Sequence, residues 1–173
     1  MKTEQLVELL ARQAGPAPRH AVERRVAMAA SLGAAGSIAG AIGALGLNAS
    51  LTDMGVALAV KLGYVVALVL SAAWFVDRVA RPGTPWRRAL WAVATVVLAM
   101  ALLAVTVWTQ ADETQRLDLL LGRSWASCPW RVAALSVPAL AAAMWALRGL
   151  APTRPRWAGF AAGLFAGSLG ALG

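Results

Sequence analysis

The chain has 173 residues, of which 60% are hydrophobic and only 14% are charged. A soluble domain of this length needs more charge on its surface, so the composition excludes an ordinary globular protein. The apolar residues are not periodic but run on for about twenty residues at a time, the length that crosses a bilayer as a helix. The sequence therefore predicts an all-α integral membrane protein.

The net charge of +8 could also suit a nucleic-acid-binding protein. The basic residues, however, lie in short clusters at the ends of apolar runs, which is typical of membrane topology determinants. We therefore expect contacts with anionic lipid head groups and no direct contact with nucleic acid.

Two regions follow from this pattern. Residues 1–25 are polar, show no cleavable signal peptide and are predicted to be a cytoplasmic segment. Residues 26–173 are predicted to form a transmembrane helical domain with five spans, at about 26–47, 54–76, 89–108, 132–147 and 157–172. The last two are short and are expected to borrow flanking residues.

The N-terminal segment contains a short amphipathic helix that Thr3 can cap. Its apolar side chains are Leu6, Val7, Leu9 and Leu10. One interpretation is a helix that lies on the lipid surface. The other is a docking helix whose apolar face enters a groove on a cytosolic partner.

Counting Lys and Arg predicts the orientation. Twelve basic residues flank the spans on the side of the N-terminus and three, Arg116, Arg123 and Arg131, flank them on the other side. The positive-inside rule then places the N-terminus in the cytoplasm and Cys128 outside. Five spans would also end the chain outside, directly after an apolar run, so we expect a truncated or incompletely covered protein.

The first span is rich in small residues, among them Gly33, Gly36, Ser37 and Gly40, and the fifth repeats the pattern with Gly159, Gly163, Gly167 and Gly170. Small residues at this spacing let helices approach closely. We expect packing within the bundle, with packing between copies in a homo-oligomer as the alternative.

Lys61 is the one ionisable residue well inside a predicted span, where a charge usually faces the bundle interior or a cavity. It lies close enough to the outer end for a partial snorkel, and Asp53 is a conceivable partner. A structural or topological role is favoured over a proton or ligand role. His20 is the single histidine, and no phosphate loop, paired catalytic carboxylates or Ser/His/Asp set is present, so we expect neither an enzyme nor a cofactor.

Cys128 is the single cysteine and lies in a polar outer loop before the fourth apolar run, flanked by Trp125 and Pro129. A thiol in an oxidising outer compartment can be oxidised or bind a soft metal ion. A thiol buried beneath Trp125 and Trp130 is the equally weighted alternative.

Several segments resemble the NrsF-type anti-sigma factors over essentially the whole chain. The most specific are Leu121-Gly122-x-Ser124-Trp125-x-x-Cys128-Pro129 and Leu150-Ala151-Pro152-Thr153-Arg154-Pro155-x-x-Ala158-Gly159. Ser136-x-Pro138, Lys61, Pro16-x-Pro18-Arg19 and the opening Met1-Lys2-Thr3 with Leu6 and Leu9-Leu10 also fit the pattern.

The resemblance implies a six-span bacterial inner-membrane protein that negatively regulates an extracytoplasmic-function sigma factor. It also implies a second cysteine, in a His-Cys-Pro-Glu-like segment between the fifth and sixth spans. The sigma factor would bind Leu6, Val7, Leu9 and Leu10, and Trp125, Cys128 and Pro129 would form a sensor for an envelope stress, through thiol oxidation or a soft metal at Cys128. The alternatives are a small transporter or channel subunit with Lys61 facing a pathway, and a purely structural membrane subunit.

Overall fold

The computed structural model describes residues 3–5, 7–8, 20–45, 55–81, 83–113, 116, 126–150, 152 and 154–172. It contains five long helices: α1 (Ala21–Leu45), α2 (Gly55–Ala80), α3 (Arg87–Gln110), α4 (Cys128–Arg148) and α5 (Pro155–Gly170). No strand occurs within the described ranges, and residues 3–5 and 7–8 are also helical. The all-α prediction is confirmed for this part of the chain.

Four helices are long and apolar enough to cross a membrane, through the stretches Ala21–Gly43, Leu58–Ala80, Arg87–Gln110 and Cys128–Arg148. The fifth, α5, has only 16 residues. That is less than the roughly 20 residues that a helix needs to cross the hydrocarbon core. A multi-helix membrane protein is therefore supported, while a fifth span stays a prediction.

Four of the five helices begin earlier than the apolar runs suggested. α1 starts at Ala21 and takes in charged residues that the sequence placed in the N-terminal segment. α4 starts at Cys128, with Pro129 in its first turn, where a proline needs no hydrogen-bond acceptor. The prediction of a loop around Cys128 is therefore wrong at this residue, and the expected borrowing of flanking residues by α4 is confirmed.

A close helix contact joins α1 to α4. A Cβ on Gly33 would lie 3.0 Å from the Cβ of Ala139, and one on Gly36 would lie 3.0 Å from the ring of Pro138. At the same interface, the fully buried Ser37 donates a hydrogen bond from Oγ to the carbonyl oxygen of Leu135 at 2.9 Å. The expected packing within the bundle is confirmed for this face of α1.

Pro138 lies in the same stretch of α4. A proline inside a helix has no N–H to donate to the carbonyl four residues earlier, which here is that of Ala134, next to Leu135. Ser37 bonds to the Leu135 carbonyl beside this position. The Ser37–Leu135 bond therefore ties α1 to the part of α4 that contains the proline.

α5 is the most enclosed helix, and it packs against α4, α2 and α1. Phe165 and Leu169 are almost fully buried and form the centre of the core with Phe75 of α2. The glycines of α5 behave differently from those of α1. A Cβ on Gly170 would meet the carbonyl of Val132, but one on Gly159, Gly163 or Gly167 would have no atom within 4 Å, so for these three the prediction of packing within the bundle is wrong.

α3 lies at the edge of the bundle and packs against α2. Ala89 and Val93 are its buried residues, both in its first two turns. Further along, large apolar side chains such as Leu98, Leu102 and Val105 are exposed. In a bilayer this face meets lipid, which explains why an apolar helix can remain so little covered.

Replacing Gly33 with leucine should destabilise the bundle, because even a Cβ there would meet the side chain of Leu169 and the backbone of Ala139. Overpacking of this kind typically costs about 1–3 kcal/mol of unfolding free energy. The matched control is Gly43→Leu in the same helix, where no atom lies within 4 Å. Thermal unfolding in detergent compares the two, and equal melting temperatures would show that the α1–α4 contact is not close.

Candidate functional site

All five helices bring charged residues to one end of the bundle. Glu23 near the start of α1 pairs with Arg81 directly after α2. The guanidinium of Arg25 occupies the space that a Cβ on Gly149 would take, which places the end of α4 beside the start of α1. Arg154, before α5, lies 5.7 Å from the centre of the Trp86 ring, before α3. We call this end of the bundle, where α1, α3 and α5 begin and α2 and α4 end, the arginine-rich end.

The two ends differ sharply in charge. The arginine-rich end carries two acidic residues, Glu23 and Asp77, among the described residues of the helix termini. Its described arginines are Arg24, Arg25, Arg78, Arg81, Arg87, Arg88, Arg148, Arg154 and Arg156. The opposite end carries Arg116 and Arg131 beside Asp112 and Glu113. The structure therefore gathers the basic clusters on one side, as the positive-inside pattern requires.

Arg81 organises this end. Its Nη2 donates hydrogen bonds to Oε1 of Glu23 at 2.8 Å and to Oδ1 of Asp77 at 2.9 Å, and its Nε donates to the same Asp77 oxygen at 3.1 Å. The hydrogen bonds to Glu23 and Asp77 raise the pKa of Arg81 above its ordinary value, so this guanidinium stays charged. On the other side, Oε2 of Glu23 lies 2.8 Å from Nδ1 of His20. Arg81 thereby connects α1 to α2.

The turn between α2 and α3 holds its arginines in place. Gly83 has a φ of +80°, a conformation that residues with a Cβ rarely adopt. Thr84 then folds back, and its Oγ1 donates to the carbonyl oxygens of Arg78 at 2.6 Å and Arg81 at 3.0 Å. These bonds satisfy carbonyls that the end of a helix leaves without an intrahelical partner.

An aromatic cluster supports the same end. The rings of Trp86 and Trp157 are 4.4 Å apart, and Phe75 makes contacts with both at 6.4 and 6.5 Å. Phe160 completes the cluster, with an edge contact to Trp157 at 6.0 Å. Tryptophan is favoured where a membrane meets water, because its ring is apolar and its N–H polar. The cluster fastens α3 and α5 to α2.

Of the predicted partner-binding residues, the structure describes Val7 alone. Val7 is helical and 59% exposed. Leu6, Leu9 and Leu10 lie outside the residues that the structure describes, so a common apolar face stays a prediction.

The predicted sensor thiol is accessible. Cys128 is exposed and carries a free thiol, and its neighbours Pro129 and Trp130 are exposed as well. The alternative of a thiol buried beneath two tryptophans is therefore wrong for Trp130; Trp125 falls in a range without described structure. Among the described residues, no group of three or more His, Cys, Asp or Glu side chains could hold a metal ion. A metal at Cys128 would need a donor from elsewhere.

The structure separates the thiol from the arginine-rich end. Cys128 is the first of the 21 residues of α4, and Arg148 is the last. At 1.5 Å per residue, these two ends of α4 are about 30 Å apart. Cys128 and the arginine-rich end therefore do not form one site, and a signal between them would have to pass along helices.

Lys61 lies in α2 and is exposed on the surface of the bundle. Its side chain does not lie in the interior of the bundle, and the partial snorkel that its place in the sequence allows fits this position. Its conceivable partner Asp53 lies in a part of the chain without described structure.

Sequence reasoning did not find the Glu23–Arg81 pair or the aromatic cluster. Asp77 and Arg81 are four residues apart on one helix, a spacing that signals an ion pair. Glu23 is 58 residues from Arg81, and no local pattern connects them. The pair depends on how α1 and α2 meet.

The fold and its charge distribution define a small helical protein of membrane type with one strongly basic end. Comparison with known proteins identifies the group: the chain belongs to the NrsF family, whose model, described as "Negative regulator of sigma F", matches residues 10–173. It is 40% identical to a probable anti-sigma-F factor NrsF of Azospira oryzae, over 99% of this chain and 82% of the relative. It is 39% identical to the anti-sigma-F factor NrsF of Caulobacter vibrioides, over 98% of this chain and 80% of the relative. No solved structure matches.

The Glu23–Arg81 pair should couple α1 to α2. In a double-mutant cycle with Glu23→Gln and Arg81→Gln, we expect the two changes together to lower the melting temperature by less than the sum of the single effects. Added salt should shrink the coupling, because the side chains are partly exposed. The control is Arg24→Gln with Arg81→Gln, which should be additive. Additive effects of the Glu23 and Arg81 changes would contradict the bridge.

Proposed function

We propose that this protein is an anti-sigma factor of the bacterial inner membrane, which holds an extracytoplasmic-function sigma factor away from RNA polymerase until an envelope signal arrives. The observation that carries the proposal is the family match over residues 10–173, together with two relatives named anti-sigma-F factor at about 40% identity. The four apolar helices fit a multi-pass membrane location. The role is regulatory, without catalysis.

The charges support an orientation. The arginine-rich end would face the cytoplasm, since cytoplasmic flanks carry an excess of Lys and Arg. The N-terminal segment precedes α1, which begins at this same end. The segment would therefore be on the side of the membrane where a sigma factor is found. Its apolar residues Leu6, Val7, Leu9 and Leu10 would form the docking face.

The signal would act on Cys128 at the opposite end. An exposed thiol can be oxidised to a disulfide with a second thiol, which transfers two electrons to an oxidant, or can bind a soft metal ion as thiolate. The second thiol or further metal ligands would come from another copy of the chain in a homo-oligomer or from a further segment. Release of the sigma factor in the cytoplasm would require that the bundle has two arrangements and that the signal stabilises one of them more than the other.

The α1–α4 contact offers a route for this effect. α4 begins at Cys128, and α1 leads directly from the N-terminal segment. The two helices touch through Gly33, Gly36 and Gly40 and through the Ser37–Leu135 hydrogen bond. A shift of α4 would therefore be passed to α1 without an intermediate element. A transporter or channel subunit, the alternative, has no comparable family match to support it.

Sigma-factor capture tests the docking face. The tagged protein, expressed in its own bacterium and solubilised in detergent, should retain a sigma factor that mass spectrometry identifies. Leu6→Asp with Leu10→Asp should reduce the capture at least about tenfold, since two charges would enter an apolar groove. Arg12→Asp changes the charge by the same amount on the opposite side of a helix through residues 3–12 and should leave capture intact. Full capture by the Leu6/Leu10 variant would rule out the docking helix.

Thiol labelling tests the orientation. In intact spheroplasts, a membrane-impermeant maleimide should label the exposed Cys128. A Cys128→Ser protein that carries Arg24→Cys, an exposed position at the other end, should be labelled only after lysis. The reverse pattern would place the arginine-rich end outside and contradict the proposed orientation.

A further inference from the structure

A cavity of about 340 Å³ opens at the arginine-rich end, between the α2–α3 turn and the start of α5. Its lining includes four arginines and one tryptophan of the aromatic cluster: Arg78, Arg81, Arg87, Arg154 and Trp86. Within the described part of the chain, no carboxylate lines it. Four guanidinium groups around one small space repel one another, so the cavity is electrostatically suited to an anion.

Of the four arginines, Arg81 has its charge balanced by acids, since it pairs with Glu23 and Asp77. Among the described residues, neither Arg87 nor Arg154 has a carboxylate within ion-pair distance, and the Nε of Arg78 is buried without a hydrogen-bond partner. A buried N–H that lacks an acceptor is unusual in a folded protein. An anion with several oxygen atoms would supply acceptors to such donors.

Two helix starts add to the positive potential. Trp86 precedes α3 and Arg154 precedes α5, and neither residue caps the first N–H groups of its helix with its side chain. Both residues line the cavity. The N-terminus of a helix carries a partial positive charge and free N–H groups, which together favour phosphate. Here the positive potential of the two helix starts adds to the charges of Arg78, Arg87 and Arg154, which pair with no acidic side chain among the described residues.

The position of the cavity indicates the source of the phosphate. It lies where α2 ends and α3 begins, and both helices are apolar enough to cross a membrane. In a bilayer this is the level of the lipid head groups, where basic pockets between helices bind anionic lipids. Beyond the cavity, Trp91 is 71% exposed one turn after Arg87, and the exposed Leu98 and Leu102 continue along α3. Acyl chains attached to the phosphate could lie against this apolar face.

We propose that the cavity lined by Arg78, Arg81, Arg87 and Arg154 binds the phosphate of an anionic phospholipid. Trp86, held by its tilted contact with the ring of Trp157, forms the apolar wall and positions the Arg154 guanidinium. The lipid would join α2, α3 and α5 at this end. The site does not depend on which sigma factor the protein binds.

Lipid titration of the full chain tests the site. The protein in a neutral detergent is titrated with phosphatidylglycerol, cardiolipin, phosphatidylcholine or inorganic phosphate, and bound lipid is counted by native mass spectrometry. We expect tight binding of the two anionic lipids and weak binding of phosphatidylcholine. Inorganic phosphate should displace them only at far higher concentration, because it lacks the acyl chains.

Two double variants that lose the same charge distinguish lipid binding in the cavity from general attraction of anionic lipid to the basic surface. Arg87→Gln with Arg154→Gln removes two lining arginines, whereas Arg88→Gln with Arg156→Gln removes exposed neighbours that do not line the cavity. The first pair should weaken anionic-lipid binding about tenfold or more, since each basic group near a phosphate contributes several-fold. The control pair should change it less than about threefold.

Three results would overturn the proposal. The first is that both double variants weaken anionic-lipid binding equally. The second is that phosphatidylcholine binds as tightly as the anionic lipids. The third is that inorganic phosphate displaces the lipid at equal concentration, which would assign the cavity to a free anion. Helix content by circular dichroism verifies folding. If Arg87→Gln with Arg154→Gln does not fold, Arg87→Lys with Arg154→Lys keeps the charge, and it should bind lipid detectably; its failure to bind while folded would also contradict a phosphate site.

Discussion

The contact between α1 and α4 is the constraint on which the rest of the bundle depends. Inside a bilayer no hydrophobic force draws helices together, because lipid tails are as apolar as leucine side chains. Close packing and hydrogen bonds must supply the attraction instead. Gly33 and Gly36 provide the first by letting α1 reach Ala139 and Pro138, and Ser37 provides the second through the Leu135 carbonyl. α5 then completes the core, because Leu169 fills the space beside Gly33.

The arginine-rich end is built in a different way. Like charges gathered at one end repel, so the fold needs interactions that hold them in defined places. Arg81 binds two carboxylates from two helices, and the guanidinium of Arg154 lies over the ring of Trp86. The aromatic cluster gives these groups an apolar base at the level where a membrane meets water. Positive charge is thereby kept at this end without loosening the helices that carry it.

The sequence predicted those features that depend on residues close together in the chain. Continuous apolar runs indicated the helices, and the positions of arginines indicated a basic end. The same kind of local pattern predicted a packing face on α1, which is correct, and one on α5, which is open at Gly159, Gly163 and Gly167. Spacing alone shows that a helix can approach another closely, but not whether a neighbour lies on that side. Glu23 and Arg81, and Trp86 and Trp157, meet only through the tertiary arrangement.

A bundle of apolar helices with a basic end does not by itself define a function, and the functional conclusion depends on family membership. Cys128 and the start of α1 lie at opposite ends of the bundle, so under the proposed function a signal at one would have to reach the other through helices with two stable arrangements. α1 and α4 connect these ends directly, through close contacts of Gly33, Gly36 and Gly40 with side chains of α4. The Ser37–Leu135 hydrogen bond would then have to be kept or exchanged as the helices shift. Because Ser37 is fully buried, breaking this bond would require its hydroxyl to find another acceptor.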